Sequence, residues 1–490
     1  MLLKTKLFDK IYSFSSVKEV LAKAGDLKSG EVLCGIAAQT EQERLAAKMV
    51  LSNILISDIR NNPVVPYEED EVTRVIQDDL NEPIYNTIKN WTISELREYI
   101  LDSKTTENDL KRIARGLSSE CIAAASKLMG NMDLVYAARK IRNITHCNTT
   151  LGLPGRLASR LQPNHPNDDV NGIKTSLFEG LSYASGDAVI GINPASTNLD
   201  TTRKIMNMLQ DVKNQYEIPT QVCYLVHVTT MMEAMKQGSP SDLIFASISG
   251  TQACNDTFGV SLEILEEARQ TALKYGTAAG PNVMYFETGQ GPENAGNMHY
   301  GADMATLEAR TYGFGRHFSP FIVNDVVGFV GPEVQYDHKQ CIRSMLEDVF
   351  MAKMSGIPIG TDIAFSSHVK GDYNDNDVVM MTASLAGTQY WIGVPGAQDV
   401  TTYNMDTSYQ DCATLRRMFN LRVSPEFETW CQKWDILDKD GNQTYTQAAK
   451  VKYVNIAGEN VIASTIIREK DGKTLEEPLS ESKEILLSAG

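Results

Sequence analysis

The chain has 490 residues, 42% hydrophobic and 22% charged, with 46 Lys and Arg against 62 Asp and Glu for a formal charge of −16. This composition fits a globular protein with a large core. The acidic balance argues against nucleic acid as the main partner, because phosphate binding needs a basic surface.

The N-terminus, MLLKTKLFDKIYSF, carries lysines but no apolar core of signal-peptide length. No run of roughly 18 apolar residues follows it anywhere, so no membrane span is expected and the cytoplasm is the default location. Residues 1–146 read as a mostly helical region. Thr40 with Glu43, and Thr92 with Glu95, have the spacing of capping boxes ahead of helical apolar patterns. The segment SSECIAAASKLMGNMDLVYAARK has helical spacing and good helix formers. The acidic run Glu68–Glu71 reads as a solvated helix start, where acidic side chains are favoured.

From residue 147 short apolar runs alternate with longer helical patterns. The runs are TLGLPGRLASRL (150–161), DAVIGINPA (187–195), QVCYLVHV (221–228), LIFASISG (243–250), NVMYFETGQG (282–291), IVNDVVGFVG (322–331), GIPIGTDIAF (356–365) and YWIGVPGA (390–397). Helices are expected between them over 199–216, 259–276, 301–315, 335–355 and 376–386. Apolar strands alternating with helices imply parallel βαβ units covered on both faces. Eight strands over about 250 residues match an α/β fold of the (β/α)8 TIM barrel type. An open doubly wound sheet is the alternative. The barrel is assigned to 147–435. The remainder, 436–490, is a short β-rich tail in which KVKYVNIAG (450–458) and NVIASTIIRE (460–469) read as a hairpin and Asp471-Gly472 as a further turn.

The eight cysteines and seven histidines are dispersed, which suits buried thiols in a reducing compartment and gives zinc little support. There is no P-loop motif. DKDGNQT (438–444) begins like a calcium loop, but Gln443 stands where glycine is needed and Ala449 where glutamate is needed, so a polar turn is expected. In a (β/α)8 barrel chemistry sits at the C-terminal strand ends. Strand one then offers Arg160 and Gln162, strand two Asn193, strand five Glu287 and strand seven Asp362, while strand six ends at Phe329. His227, near the end of strand three, reads as structural. One guanidinium, two carboxamides and two carboxylates make no nucleophile–base pair. They suit a small, cationic, hydroxylated molecule, and harder chemistry on it would need a cofactor.

Several segments carry a more specific signal: IRNNPV (59–64), VTRVIQDD (72–79), IKNWTISELREYIL (88–101), TTLGLPGRLASRLQPN (149–164), GDAVIGINP (186–194) and PTQVCYLVHVTT (219–230). To these are added YFETGQG (285–291), GRHFSPFIVNDVVGFVGPE (315–333), LEDVFMAKMSGIPIGTDI (346–363) and SPEFETW (424–430). Through them, over roughly residues 1–435, the chain resembles the large, catalytic subunit of ethanolamine ammonia-lyase.

The resemblance implies an adenosylcobalamin-dependent radical lyase that converts ethanolamine to acetaldehyde and ammonia. It implies a cofactor lying between the barrel and a separate small (light) subunit. It also implies a large hetero-oligomer and, in many hosts, residence in a bacterial microcompartment. The corrinoid keeps its own base on cobalt, in keeping with the lack of a D-x-H-x-x-G motif, so no protein ligand to the metal is expected. The family's substrate contacts match Arg160, Gln162, Asn193, Glu287 and Asp362. Glu287, Arg160 and Asp362 carry the catalytic roles. Asp362, Gln162 and Glu287 are assigned to the ammonium, and Arg160 and Asn193 to the hydroxyl.

On the cofactor side Pro194 and Ser247 match the family. Ala246 stands where glutamine is usual, Ala295 where serine is usual, Thr401 where methionine is usual, and Thr257 where an acidic residue is common. Two other readings compete: a barrel glycosidase using Glu287 and Asp362, and a catalytically silent scaffold subunit of the same family.

Overall fold

The computed structural model of the chain describes residues 2–331 and 333–444. The expected tail hairpin and the Asp471-Gly472 turn lie outside the described residues. The chain opens with two strands that the helical reading of 1–146 does not contain. β1 (Lys4–Leu7) and β2 (Lys10–Ser13) form an antiparallel hairpin. Its turn residues, Phe8 and Asp9, both have positive φ (48° and 61°). That backbone matches the twist of the strands, and it is hard to see in the sequence because the usual Asn-Gly pair is absent. A second, two-residue ladder joins β3 (Thr145–His146) to β4 (Thr150–Leu151).

Eight further strands form one sheet: β5 (Ala158–Leu161), β6 (Val189–Ile192), β7 (Val222–Tyr224), β8 (Ile244–Ser247), β9 (Met284–Thr288), β10 (Ile322–Val327), β11 (Ile359–Ile363) and β12 (Tyr390–Gly393). Each falls inside one of the apolar runs read from the sequence. Their order is β7-β6-β5-β12-β11-β10-β9-β8. First and last barrel strands, β5 and β12, are parallel neighbours, with Arg160 opposite Ile392. A sheet whose first and last strands pair, with helices between successive strands, is a (β/α)8 barrel.

The helices begin where the side chains predict. Thr92 and Glu95 form a reciprocal capping box, with Thr92 N–H donating to Glu95 Oε2 (2.7 Å) and Glu95 N–H to Thr92 Oγ1 (3.1 Å). Thr40 caps the helix Glu41–Leu51 on one side only, because the Glu43 carboxylate accepts from Gln39 N–H instead. The Ala-rich segment is two helices, Ser119–Lys127 and Asn131–Arg139, separated at Gly130, a residue that weakens helix interiors. His227 is the N-cap of the helix Val228–Lys236.

The chain divides into two compact units. The first comprises Met1–Asn143, Ala246–Glu267 and Tyr285–Thr388; the second comprises Ile144–Phe245, Ala268–Met284 and the chain from Gln389 on. In the first unit the N-terminal helices are tied to barrel helices by buried ion pairs. Lys28 Nζ meets Glu347 at 2.8 Å and Lys127 Nζ meets Asp303 at 2.6 Å, with all four side chains almost fully buried. Arg310, in the helix Met304–Gly315, donates to Asp70 (2.7 Å), Glu120 (2.7 Å) and the Thr73 hydroxyl (2.8 Å). The acidic run at 68–71 is therefore a helix start, with Asp70 as its N-cap, but Asp70 is buried rather than solvated. In the second unit Asp187 is buried beneath Arg416 (3.2 Å) and accepts from Ser159 N–H (2.7 Å) and Ser424 N–H (2.8 Å).

All eight cysteines are unpaired thiols. Among the described residues no helix is long and apolar enough to cross a membrane, and no His, Cys, Asp and Glu cluster could hold a metal ion. The segment at 438–444 is the polar turn expected of it, with the Asp438 carboxylate accepting from Asp440 N–H (2.9 Å) and Asn442 N–H (2.8 Å).

Candidate active site

Side chains alternate along a strand, so Arg160 and Gln162 leave the end of β5 on one face. Arg160 is buried, and Gly191 on β6 makes room for it: a Cβ there would sit 3.1 Å from Arg160 Nε. Arg160 Nη2 donates to Asn193 Oδ1 at 3.0 Å, immediately beyond β6. The structure thus brings two predicted residues together directly. Because the Asn193 oxygen is engaged, its amide presents a donor.

Gln162 is buried, and its Nε2 donates to Asp399 Oδ2 at 2.8 Å. Its Oε1 has no hydrogen-bond partner among the described residues. The amide is thereby polarised in one sense, nitrogen held and oxygen available as an acceptor. Asn164 completes the network. Its Nδ2 donates to both Asp399 oxygens (3.3 and 3.1 Å), and its Oδ1 accepts from Asn193 N–H at 2.8 Å. Asp168, in the left-handed region at φ 57°, accepts from Ala195 N–H (3.0 Å) and Ser196 N–H (2.8 Å), which pins the loop that carries Pro194.

Asn164, Asp168 and Asp399 are absent from the candidates that strand ends supply. Asn164 continues the alternation 160, 162, 164 and is legible on that ground. Asp399 lies two residues beyond the run 390–397, in an irregular segment past the strand end.

In the first unit, register places Glu287 opposite Asn324 and Asp362 opposite Val326, so Glu287, Asn324 and Asp362 share one face of three adjacent strands. Glu287 is half-buried and Asp362 buried. Asn324 is a further residue that the strand-end rule misses. It is fully buried, and among the described residues neither atom of its amide has a hydrogen-bond partner. Leaving such a group unsatisfied costs roughly 1–3 kcal/mol, which marks Asn324 as a functional candidate beside Glu287. Strand β10 ends at Val327 rather than at Phe329, which lies beyond a positive-φ Gly328 and is half exposed.

The opposite face of the same strands carries a second acidic group. Thr288 Oγ1 donates to Glu308 Oε2 at 2.9 Å, and Gln290 Nε2 donates to Asp348 Oδ1 at 2.8 Å. Burial, and then the negative charge of neighbouring carboxylates, pushes the carboxyls of Glu308, Asp325 and Asp348 well above the ordinary range. The raised folded value has a definite sign. The folded chain holds protons that the unfolded chain releases, so stability falls as pH rises from about 4, the unfolded carboxylate value. Glu308→Gln keeps an acceptor for Thr288 and removes the titrating group. Its melting temperature, relative to the parent chain, should be more favourable at pH 8 than at pH 5. Thermal melts at the two pH values check this.

The positions matched to the cofactor lie at C-terminal strand ends or in the segments that follow those ends. Pro194 follows β6, Ala246 and Ser247 close β8, Ala295 ends the short helix Pro292–Ala295 after β9, and Thr401 follows β12. Ala246 is buried; Pro194, Ser247 and Thr401 are half-buried; Ala295 is exposed. Thr401 spends its hydroxyl on Asp399 Oδ1 at 2.6 Å. Thr257 is exposed, and its hydroxyl bonds the Cys254 carbonyl of its own helix at 2.7 Å.

Comparison with known proteins bears on this geometry. The family model described as "Ethanolamine ammonia lyase large subunit (EutB)" matches residues 12–446. The ethanolamine ammonia-lyase large subunit of Escherichia coli (strain K12) is 48% identical over 437 residues, covering 89% of this chain and 96% of that protein. The subunit of the same name from Salmonella typhimurium (strain LT2) matches with the same identity and coverage. On the family match and on identity spanning nearly the whole of both chains, the protein belongs to the ethanolamine ammonia-lyase large-subunit family.

Proposed function

We propose that the chain is the catalytic subunit of an adenosylcobalamin-dependent lyase that converts ethanolamine to acetaldehyde and ammonia together with a small subunit. The observation that carries this reading is the one-way polarity of Gln162. Its nitrogen is fixed on Asp399 and its oxygen is left to accept, as an ammonium ligand must be. Asp362 and Glu287 add carboxylates for the same cation. Arg160 and the Asn193 amide nitrogen supply donors for the hydroxyl oxygen. Glu287 serves both groups of the substrate and moves the proton that transfer of the amino group requires. The remaining task of these residues is to hold a small substrate in one pose and keep water from it.

The cofactor positions suit the flat face of a corrin ring better than its peripheral amides. Pro194, Ala246 and Ala295 bring no side-chain polarity, Thr401 has its hydroxyl engaged, and Ser247 alone offers a hydroxyl that makes no hydrogen bond within the described residues. Pro194, Ser247, Ala246, Ala295 and Thr401 would hold adenosylcobalamin through surface contact and backbone groups more than through side-chain hydrogen bonds. Bound there, it supplies the hydrogen-abstracting radical chemistry that no residue of the set can supply. Cobalt needs no ligand from the protein in this reading.

The glycosidase reading has no support from the family match. The silent-scaffold reading keeps one specific observation, the apolar side chains at Ala246 and Ala295. We place the chain in a large hetero-oligomer in the cytoplasm, within a protein-shelled compartment where the host builds one. The test is reconstitution of the full chain with a small subunit and adenosylcobalamin. Ammonia and acetaldehyde should appear in equal amounts from ethanolamine, and only when all three are present. A complex that binds the cofactor and releases no ammonia would favour the scaffold.

A further inference from the structure

We infer that Asp399 is a positioning residue that sets the orientation of the substrate-binding amides, so that the sense of the Gln162 carboxamide is dictated from outside the substrate set. The inference rests on the substrate reading above.

Every partner of the Asp399 carboxylate is a donor. Oδ2 accepts from Gln162 Nε2 at 2.8 Å and from Asn164 Nδ2 at 3.1 Å. Oδ1 accepts from Thr401 N–H at 2.7 Å, Thr401 Oγ1 at 2.6 Å, Asn164 Nδ2 at 3.3 Å and Thr402 N–H at 3.4 Å. A carboxylate can accept at both oxygens and donate at neither, so Gln162 and Asn164 can each bond it only through nitrogen. For Gln162 this leaves Oε1, a buried atom with no hydrogen-bond partner among the described residues, as the accepting end of the amide. For Asn164 it leaves Oδ1, which accepts from Asn193 N–H at 2.8 Å and so fixes the backbone of the residue that bonds Arg160. One carboxylate therefore determines the sense of one substrate amide and the seat of another. Thr401, which holds Asp399 from the far side, belongs to the loop assigned to the cofactor, so the two sets share this one anchor.

Asp399→Asn separates positioning from simple loop support. An amide of the same shape brings one nitrogen into a site where all neighbours donate. Whichever way it turns, a donor meets a donor. The arrangement that satisfies most groups turns Gln162 round, so that its oxygen accepts from the new amide and its nitrogen faces the ammonium. In the complete complex with small subunit and adenosylcobalamin, KM for ethanolamine should rise roughly 10–100-fold, with a smaller fall in kcat.

The diagnostic step is Q162E in both backgrounds. Combined with D399N, the introduced glutamate accepts on one oxygen and offers the other to the ammonium, so the double variant should recover most of the lost affinity. Beside the native Asp399, the same glutamate must share a proton with its neighbour and should bring no gain. Recovery confined to the D399N background supports the inference. Unchanged KM in D399N overturns it. Equal impairment of D399N and the double variant, or failure of D399N to assemble with the small subunit, overturns it also, since Asp399 would then be a structural residue. Failure of the substrate reading has a separate signature: the unsubstituted complex would release no ammonia from ethanolamine.

Discussion

Glu287→Gln should leave a chain that folds, assembles and melts like its parent while ammonia release falls by roughly 10²–10⁴-fold, the usual worth of a general acid–base group. The change is isosteric. Glu287 sits at the penultimate position of β9, and the strand's ladder to β10 runs through backbone groups that the substitution does not touch. What is lost is a charge and the capacity to take up and return a proton. A glutamine can still accept from an ammonium through its oxygen, so affinity should suffer less than turnover. Ammonia release measured on the reconstituted complex, with a thermal melt as the folding control, separates the two effects. Near-normal turnover would remove Glu287 from the mechanism and leave the carboxylate role to Asp362.

The second large effect is on stability. Arg310→Met should destabilise the first unit by about 3–5 kcal/mol, as expected when one member of a buried ionic network is removed and its partners stay behind. Arg310 is fully buried and serves two carboxylates on separate N-terminal elements, Asp70 and Glu120, while its Nε donates to the Gly250 carbonyl at 2.9 Å. Without the guanidinium, two buried carboxylates face an apolar side chain. A denaturant or thermal melt of the full chain reads the loss, and Asp70→Asn in the same background should return part of it. A shift of less than about 1 kcal/mol would mean that the network contributes little beyond what packing supplies.

The barrel is legible because each strand is a short apolar run bounded by breakers, and parallel strands covered on both faces must be apolar nearly throughout. The strand-end residues stand out for the same reason: Glu287 and Asp362 interrupt apolar runs and Asn193 closes one. What escapes is polar chemistry that no apolar run frames. Asp399 acts from a loop, and its meaning comes from a partner far away in the chain, with Gln162 237 residues distant. Asn324 lies inside a predicted strand and still escapes, because the neighbouring Asp325 makes the pair look like a single polar interruption. The register shows that the two face opposite sides: Asn324 lies opposite Glu287, and Asp325 lies opposite Thr288. The N-terminal hairpin escapes because lysines occupy its strands and an unusual Phe-Asp pair its turn. The capping signals fail only at Thr40, where the Glu43 carboxylate accepts from Gln39 N–H at 2.7 Å in place of Thr40 N–H.

The buried ion pairs of the first unit have a consequence for the order of events during synthesis. Lys28 finds its carboxylate 319 residues later in the chain, and Lys127 finds its own 176 residues later. At about 5–20 residues per second, the partner of Lys28 leaves the ribosome some tens of seconds after the lysine itself. Until then Lys28, bound for a dry interior, lacks the carboxylate that bonds it there, and only Glu31 of its own segment offsets its charge. The pairing of Lys28 with Glu347 is thus completed only late in synthesis. A ribosome-stalled series ending before and after Glu347 should show full protease resistance of the segment around Lys28 only in the longer chains.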